Sequence, residues 1–190
     1  FEPGNIDVST GIGFGLYHGE TNDVSDSLDK GINEGSVIIP INVSYSFNDR
    51  LAVGIQFERN GFPTDSVKTT DDNYDHSVNF GINGLFRILN SKKNVIYTNV
   101  EISTSNLTIG NRTDNEKVKG SGMNFQFGLA YQHYFGGNNF GYFINTTYAI
   151  YKYNGLKDQN GDYWEISGTS TKKEFKLSGV NVRVGLIFKF

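Results

Sequence analysis

The chain has 190 residues, a formal net charge of −3, and no cysteine. That length bounds it to one domain or two small ones, the small negative charge excludes a nucleic-acid binder, and the missing thiols exclude disulfides and thiolate metal sites. No run of about 18 apolar residues occurs, so no helix crosses a membrane, but a β-barrel remains open because its strands alternate in polarity.

Twenty-three glycines, 15 phenylalanines and 11 tyrosines against 3 prolines and 1 methionine make a strand composition. Period-2 alternation recurs in eight segments. The first carries Ile6, Val8, Thr10, Ile12, Phe14 and Leu16 in one phase. The second carries Val37, Ile39, Ile41, Val43, Tyr45 and Phe47, and the third Leu51, Val53, Ile55 and Phe57. Tyr74, Val78, Phe80, Ile82, Phe86 and Ile88 mark the fourth, and Ile96, Thr98, Val100 and Ile102 a weaker fifth. The sixth shows Met123, Phe125, Phe127, Leu129, Tyr131 and Phe135, and the seventh Phe140, Tyr142, Ile144, Tyr148 and Ile150. The eighth ends the chain with Val180, Val182, Val184, Leu186, Phe188 and Phe190. No window has a 3.6-residue period.

The connections alternate in length. NDR, NSKKN and GGNN join strands 2 to 3, 4 to 5 and 6 to 7, and their Asn, Asp and Gly residues suit tight hairpins. The other four connections, near residues 19–35, 60–73, 106–121 and 154–174, are long and polar. This pattern predicts an all-β fold: an eight-stranded antiparallel up-and-down transmembrane β-barrel, a single domain over residues 1–190. With an even strand number, both termini fall on the short-turn side. The chain opens without a basic, apolar leader, so an exported protein is expected here in its mature form.

Alternation alone fits a soluble calyx, apolar inside, as well as a membrane barrel, apolar outside. The charges discriminate. The apolar phase holds only Arg59, Lys152 and Lys176, each at the long-loop end, where a cation facing lipid costs least. The other phase holds Asp7, Glu58, Asp75, Arg87, Glu101, Arg183 and Lys189 among small and amide residues. Gly11, Gly13, Gly15, Gly54, Gly81, Gly128, Gly141 and Gly185 share it, leaving room for larger neighbours in a narrow lumen. Aromatics gather near both strand ends. Phe47, Phe86, Tyr97, Phe135, Phe140, Tyr142, Phe188 and Phe190 lie near the short turns; Phe14, Phe57, Tyr74, Phe125, Tyr148, Tyr151 and Tyr153 lie towards the long loops. Those on the outward phase predict two interfacial girdles.

Eight alternating strands, three tight turns, four long loops and a terminal Phe resemble the small outer-membrane barrels of the OmpA/OmpX type, over essentially the whole chain. The Asn-, Gly- and Tyr-rich texture is similar to Bacteroidota outer-membrane barrel domains. The resemblance implies a porin-like cell-envelope protein in the outer membrane of a Gram-negative bacterium. It also implies that Val182, Val184, Leu186, Phe188 and Phe190 form the C-terminal signal read by the barrel assembly machinery. No peptidoglycan-binding domain is expected to follow, so the two-domain members are expected to be a poorer match.

Inside the barrel, Glu58, Glu101 and Arg183 are expected at one height, where an arginine fork bridges two carboxylates across the lumen. Asp7 and Arg87 form a candidate second pair near the bottom. A gated ion path and a charge-satisfying structural network are the two readings, and a filled interior favours the network. Tyr97, Tyr134, Phe143, Leu85 and Ile187 point inward near the short-turn end and are expected to plug it, leaving no continuous pore.

Enzymatic chemistry finds little support, although some small barrels modify lipid A. A strand sends His76 and Ser77 to opposite faces, His133 sits outward near the rim, and His18 has no serine in phase beside it. The glycines of GIGFG, residues 11–15, lie within a strand, so no phosphate loop is read there. Asp158, Asn160, Asp162 and Glu165 follow a calcium-loop-like order with the glycine at the wrong position. Glu20, Asp23, Asp26, Asp29 and Glu34 make the first long loop acidic against Lys30, which suits cation-bridged contact with lipopolysaccharide. Asp26-Ser27-Leu28 and Asp65-Ser66-Val67 resemble a Bacteroidota O-glycosylation signal, and Trp164 is the only tryptophan.

The resulting expectation is a non-enzymatic barrel without catalytic residues, metal or cofactor. It has a structural or interaction role, alone or as an accessory subunit of an envelope complex. Expected partners are outer-membrane lipid or lipopolysaccharide, the assembly machinery and other envelope proteins. A carrier of small hydrophobic ligands is the alternative, as a soluble calyx or as a barrel opened laterally at Pro40.

Overall fold

The computed structural model describes residues 3–22, 32–62, 75–110, 117–137, 139–166 and 169–190. Eight strands form one closed antiparallel barrel in chain order: β1 (Ile6–Thr21), β2 (Ile32–Ser46), β3 (Leu51–Phe62), β4 (Asp75–Asn90), β5 (Asn94–Gly110), β6 (Lys117–Tyr134), β7 (Phe140–Asn154) and β8 (Glu174–Lys189). β8 closes on β1 without a break from Asp7↔Lys189 to Thr21↔Phe175. Ile6 and Phe190 exchange backbone hydrogen bonds of 3.0 and 2.8 Å just below that seam. Closure pairs every strand on both sides, which a bilayer requires because it offers no water to an open edge.

The outer wall is hydrocarbon. Ile12, Phe14, Ile39, Ile55, Phe80, Ile82, Ile102, Phe127, Leu129, Ile144, Val184 and Leu186 are all exposed, while Glu58, Glu101, Arg183, Asn60, Asn79 and Gln126 are buried inside. This is a soluble core turned inside out. At ~3.3 Å per residue and ~40° of tilt, residues 180–188 rise about 20 Å, close to the ~25 Å band of an outer-membrane barrel. Val184 lies in register between Ile12 and Ile144, at mid-height. Val184→Arg is therefore expected to destabilise the barrel by about 2–4 kcal/mol, and Ser178→Arg near the loop end by less than about 1 kcal/mol. Urea titrations in lipid vesicles measure both; equal costs at the two depths would contradict a membrane-facing wall.

Two details depart from the sequence reading. The strands run further into the long connections than expected, with β5 reaching Gly110 and β6 starting at Lys117, because Ile109 and Val118 still pair and pack on a buried apolar cluster. This extension adds Glu20, Lys117, Lys119 and Glu174 to the outward phase, all at the long-loop end. A register shift between Arg87 and Leu89 makes Ile88 and Leu89 both face outward. Tyr97, Tyr151 and Tyr153 are buried within the barrel, as their inward phase implies, and belong to neither girdle.

Tyr74, the two Asp-Ser motifs, and Asp23, Asp29 and Lys30 of the acidic loop lie outside the described residues.

Candidate functional site: a filled lumen

β3, β5 and β8 carry Glu58, Glu101 and Arg183 on their inward phases, and the barrel's stagger brings the three together. Arg183 Nη1 donates to both Glu101 oxygens, at 3.2 and 3.3 Å, and Nη2 donates to Glu58 Oε2 and to Gln126 Oε1. All three charged side chains are at least 95 % buried. One buried cation facing two carboxylates is tolerable only where further donors share the excess negative charge. Glu58 Oε1 accepts from Asn79 at 3.0 Å, Tyr151 at 3.2 Å and Gln126 at 3.4 Å, and Glu101 Oε1 accepts from Asn99 at 2.9 Å. Gln126 Oε1 accepts further from Thr147 at 3.0 Å and Asn181 at 3.1 Å. The network thus draws on six of the eight strands, β3 to β8. Space for it is made at Gly13, where a Cβ would come within 2.8 Å of Arg183 Cγ.

The second pair also meets. Arg87 lies 3.5 Å from Asp7 and donates to Ser46 Oγ at 2.7 Å and to the Asn48 carbonyl at 3.2 Å. Both partners are buried near the short-turn mouth, which the Arg87 contacts tie to the β2–β3 turn.

Two apolar layers bracket the ionic centre. Towards the short turns, Tyr97, Tyr134, Phe143 and Ile187 pack together with Val95 and Ala130, and Leu85 lies against them. The first four and Leu85 are the expected plug; Ala130 and Val95, the latter on a strand whose alternation is weak, join it in the structure. Towards the long loops lies a layer that sequence reasoning missed altogether. Tyr17, Phe62, Leu107, Val118, Tyr151, Tyr153, Leu156 and Leu177 form a buried cluster, with Tyr17 and Tyr151 edge to face at 5.5 Å. The signal was present in the inward phases of Tyr17, Tyr151, Tyr153 and Leu177. Between the ionic centre and the lower layer a cavity of about 30 Å³ is lined by Asp7, Ser44, Asn83, Tyr97, Glu101 and Arg183. Such a space accommodates about two water molecules and nothing larger.

Among the described residues no histidine is placed against a buried serine. His18 is exposed, His76 and His133 are half-exposed on the outward phase, and Ser77 is buried inside. His133 is held at the rim by Asn94, 2.8 Å away. Asp158 Oδ1 accepts the backbone amides of Asn160 and Asp162, each at 2.9 Å, and so closes its own turn. Pro40 is buried, facing inward, and the β1–β2 ladder lacks the rungs Gly11/Pro40 and Ile12/Ile39 while keeping one register on both sides.

A closed eight-stranded cylinder with an apolar outer wall and a packed polar interior is a transmembrane β-barrel of the outer-membrane class. Solved structures carry the same architecture. The chain is similar to the outer membrane protein OprG from Pseudomonas aeruginosa (9% identity, TM-score 0.59, 100% of this chain and 97% of that one). It is also similar to Ail, the attachment invasion locus protein of Yersinia pestis (13% identity, TM-score 0.51, 98% and 99% covered). A third is the outer membrane protein AlkL in lipid bilayers (12% identity, TM-score 0.54, 100% and 92% covered). At these identities the likeness concerns the fold. No family model and no curated protein matches the sequence.

Proposed function

We propose that this chain is a closed, non-enzymatic barrel of the Gram-negative outer membrane, whose role is structural or interactive and is carried by its extracellular loops and lipid-facing wall. The observation behind this reading is the filled lumen: the Arg183 network lies between two aromatic layers. A barrel packed in this way is a rigid mount for loops. Partners in this reading are outer-membrane lipid and other envelope proteins. One structural neighbour is the attachment invasion locus protein of Yersinia pestis, which supports an interaction role for this scaffold. The outward aromatics Phe188 and Phe190, with Val182, Val184 and Leu186, act in this reading as the segment engaged by the assembly machinery.

Planar-bilayer recording tests the central point. Purified protein is expected to give no sustained conductance steps, and stable unitary steps would overturn the closed-lumen reading. A carrier of small hydrophobic ligands draws support from the two missing rungs beside Pro40. The inward side of that gap meets Glu58, across from Pro40, and Arg183, across from Gly13, and a cavity of about 30 Å³ holds no hydrophobic ligand. Lipid extracted from within the purified barrel at one molecule per chain would favour the carrier instead.

A further inference from the structure

We infer that the outward face of the β7–β8 connection, together with the start of β6, binds phosphate-bearing lipid headgroups of the leaflet around the extracellular end. The inference rests on the membrane reading above.

Residues 155–166 and 169–173 build a small sheet on top of the barrel wall. Lys119 and Lys157 exchange backbone hydrogen bonds, both 2.8 Å, Lys157 bridges to Tyr163, and Glu165 bridges to Lys172. Residues directly opposed in an antiparallel bridge share a face, as do residues two apart in one strand. Lys117, Lys119, Lys157, Tyr163, Glu165 and Lys172 therefore share one face, and Val118, Leu156, Trp164 and Lys173 the other. Val118 and Leu156 are buried in the upper apolar layer, so their face looks into the barrel and the lysine face looks away from it.

All four lysines on that face are exposed, and among the described residues Glu165 is its one carboxylate. The Lys172 and Lys157 ammonium groups stand 3.5 and 4.6 Å from the centre of the Tyr163 ring. These two cations, Lys157 first, hold the Tyr163 phenol below its ordinary pKa. The lysines nearer the bilayer are already neutralised, Lys152 by Glu174 at 3.8 Å and Lys176 by Glu20 at 3.5 Å. Among the described residues no ion pair engages Lys119, Lys157 or Lys172. Placing Lys119 directly across from Lys157 is unfavourable by itself, and an anion between them reverses the sign.

Position selects the anion. Lys119 and Lys117 continue the outward phase of β6 above Met123 and Ser121, so they point sideways over the apolar wall. Four residues of tilted strand lift Lys119 about 10 Å above Met123, to headgroup depth.

The test compares wild type with Lys119→Gln/Lys157→Gln/Lys172→Gln by native mass spectrometry in detergent, titrating bisphosphorylated lipid A, its dephosphorylated form, and inorganic phosphate. Each lysine at an anionic headgroup surface contributes roughly fivefold, so the triple variant should bind bisphosphorylated lipid A about a hundredfold more weakly and the dephosphorylated form equally. Equal binding of the phosphorylated form by both proteins overturns the site. Inorganic phosphate binding as tightly as lipid A assigns the lysines to a soluble anion and also overturns it. Lys157→Gln supplies a second readout, since relief of repulsion should leave its thermal midpoint unchanged or raised without lipid A and lowered relative to wild type with it. A midpoint lowered equally in both conditions makes the lysine structural and counts against the site. Failure of the closed-lumen reading is distinct, because it appears as conductance in the wild type.

Discussion

Replacing Arg183 by methionine is expected to lower the unfolding free energy of the barrel by about 3–5 kcal/mol, the cost of leaving buried charge uncompensated. Glu58 and Glu101 would lose the guanidinium that both engage, and their amide and phenol donors cannot balance two negative charges. Arg183→Met/Glu58→Gln/Glu101→Gln should recover most of the loss, since it removes the charges and retains hydrogen-bonding groups. Urea titration in vesicles, followed by the gel-mobility difference between folded and boiled protein, reads both variants. A loss below about 1 kcal/mol for the single change, the range of an exposed ion pair, would mean that water reaches the network and the lumen is not sealed.

Gly185→Leu should cost at least about 3 kcal/mol and deplete the folded band. Gly185 faces Gly11 across the β1–β8 seam, and a Cβ on it would lie 2.1 Å from the Thr10 carbonyl oxygen, 2.6 Å from Gly11 Cα and 2.8 Å from the Phe143 ring. Two of those three obstacles are backbone, so the closing strands themselves must move apart. Gly84 is the control: it faces outward, and a Cβ there meets nothing within 4 Å. Gly84→Ala should leave stability unchanged or raise it by about 0.5 kcal/mol, because alanine has less backbone freedom to lose. Refolding yields into vesicles compare the two, and equal yields would show that the seam tolerates a side chain.

The choice of inward lumen residues was legible because a strand's side-chain alternation is local. Val184 and Arg183 are neighbours in sequence, and nothing beyond the period of 2 is needed to send one to lipid and the other inside. The same rule put Glu58 and Glu101 inside, and counting from the tight turns placed them near the height of Arg183. It failed where the pattern is not strictly periodic. Nothing in the composition of RIL, residues 87–89, announces the bulge that turns both Ile88 and Leu89 outward. The upper aromatic layer escaped notice for another reason: Leu107 and Val118 stand in polar stretches that read as loop until their pairing partners are known.

By itself, then, the order of residues determines the strand number, the two faces and the residues sealed inside, since each follows from neighbours a few positions apart. Which of those residues touch is a matter of stagger between strands, and only the closed barrel decides it. Arg183 meets Glu58 across 125 positions of sequence and Glu101 across 82, and Lys119 comes to face Lys157 only when the β7–β8 connection folds back on the wall. Those pairings depend on long-range register, and long-range register leaves no local mark on the chain.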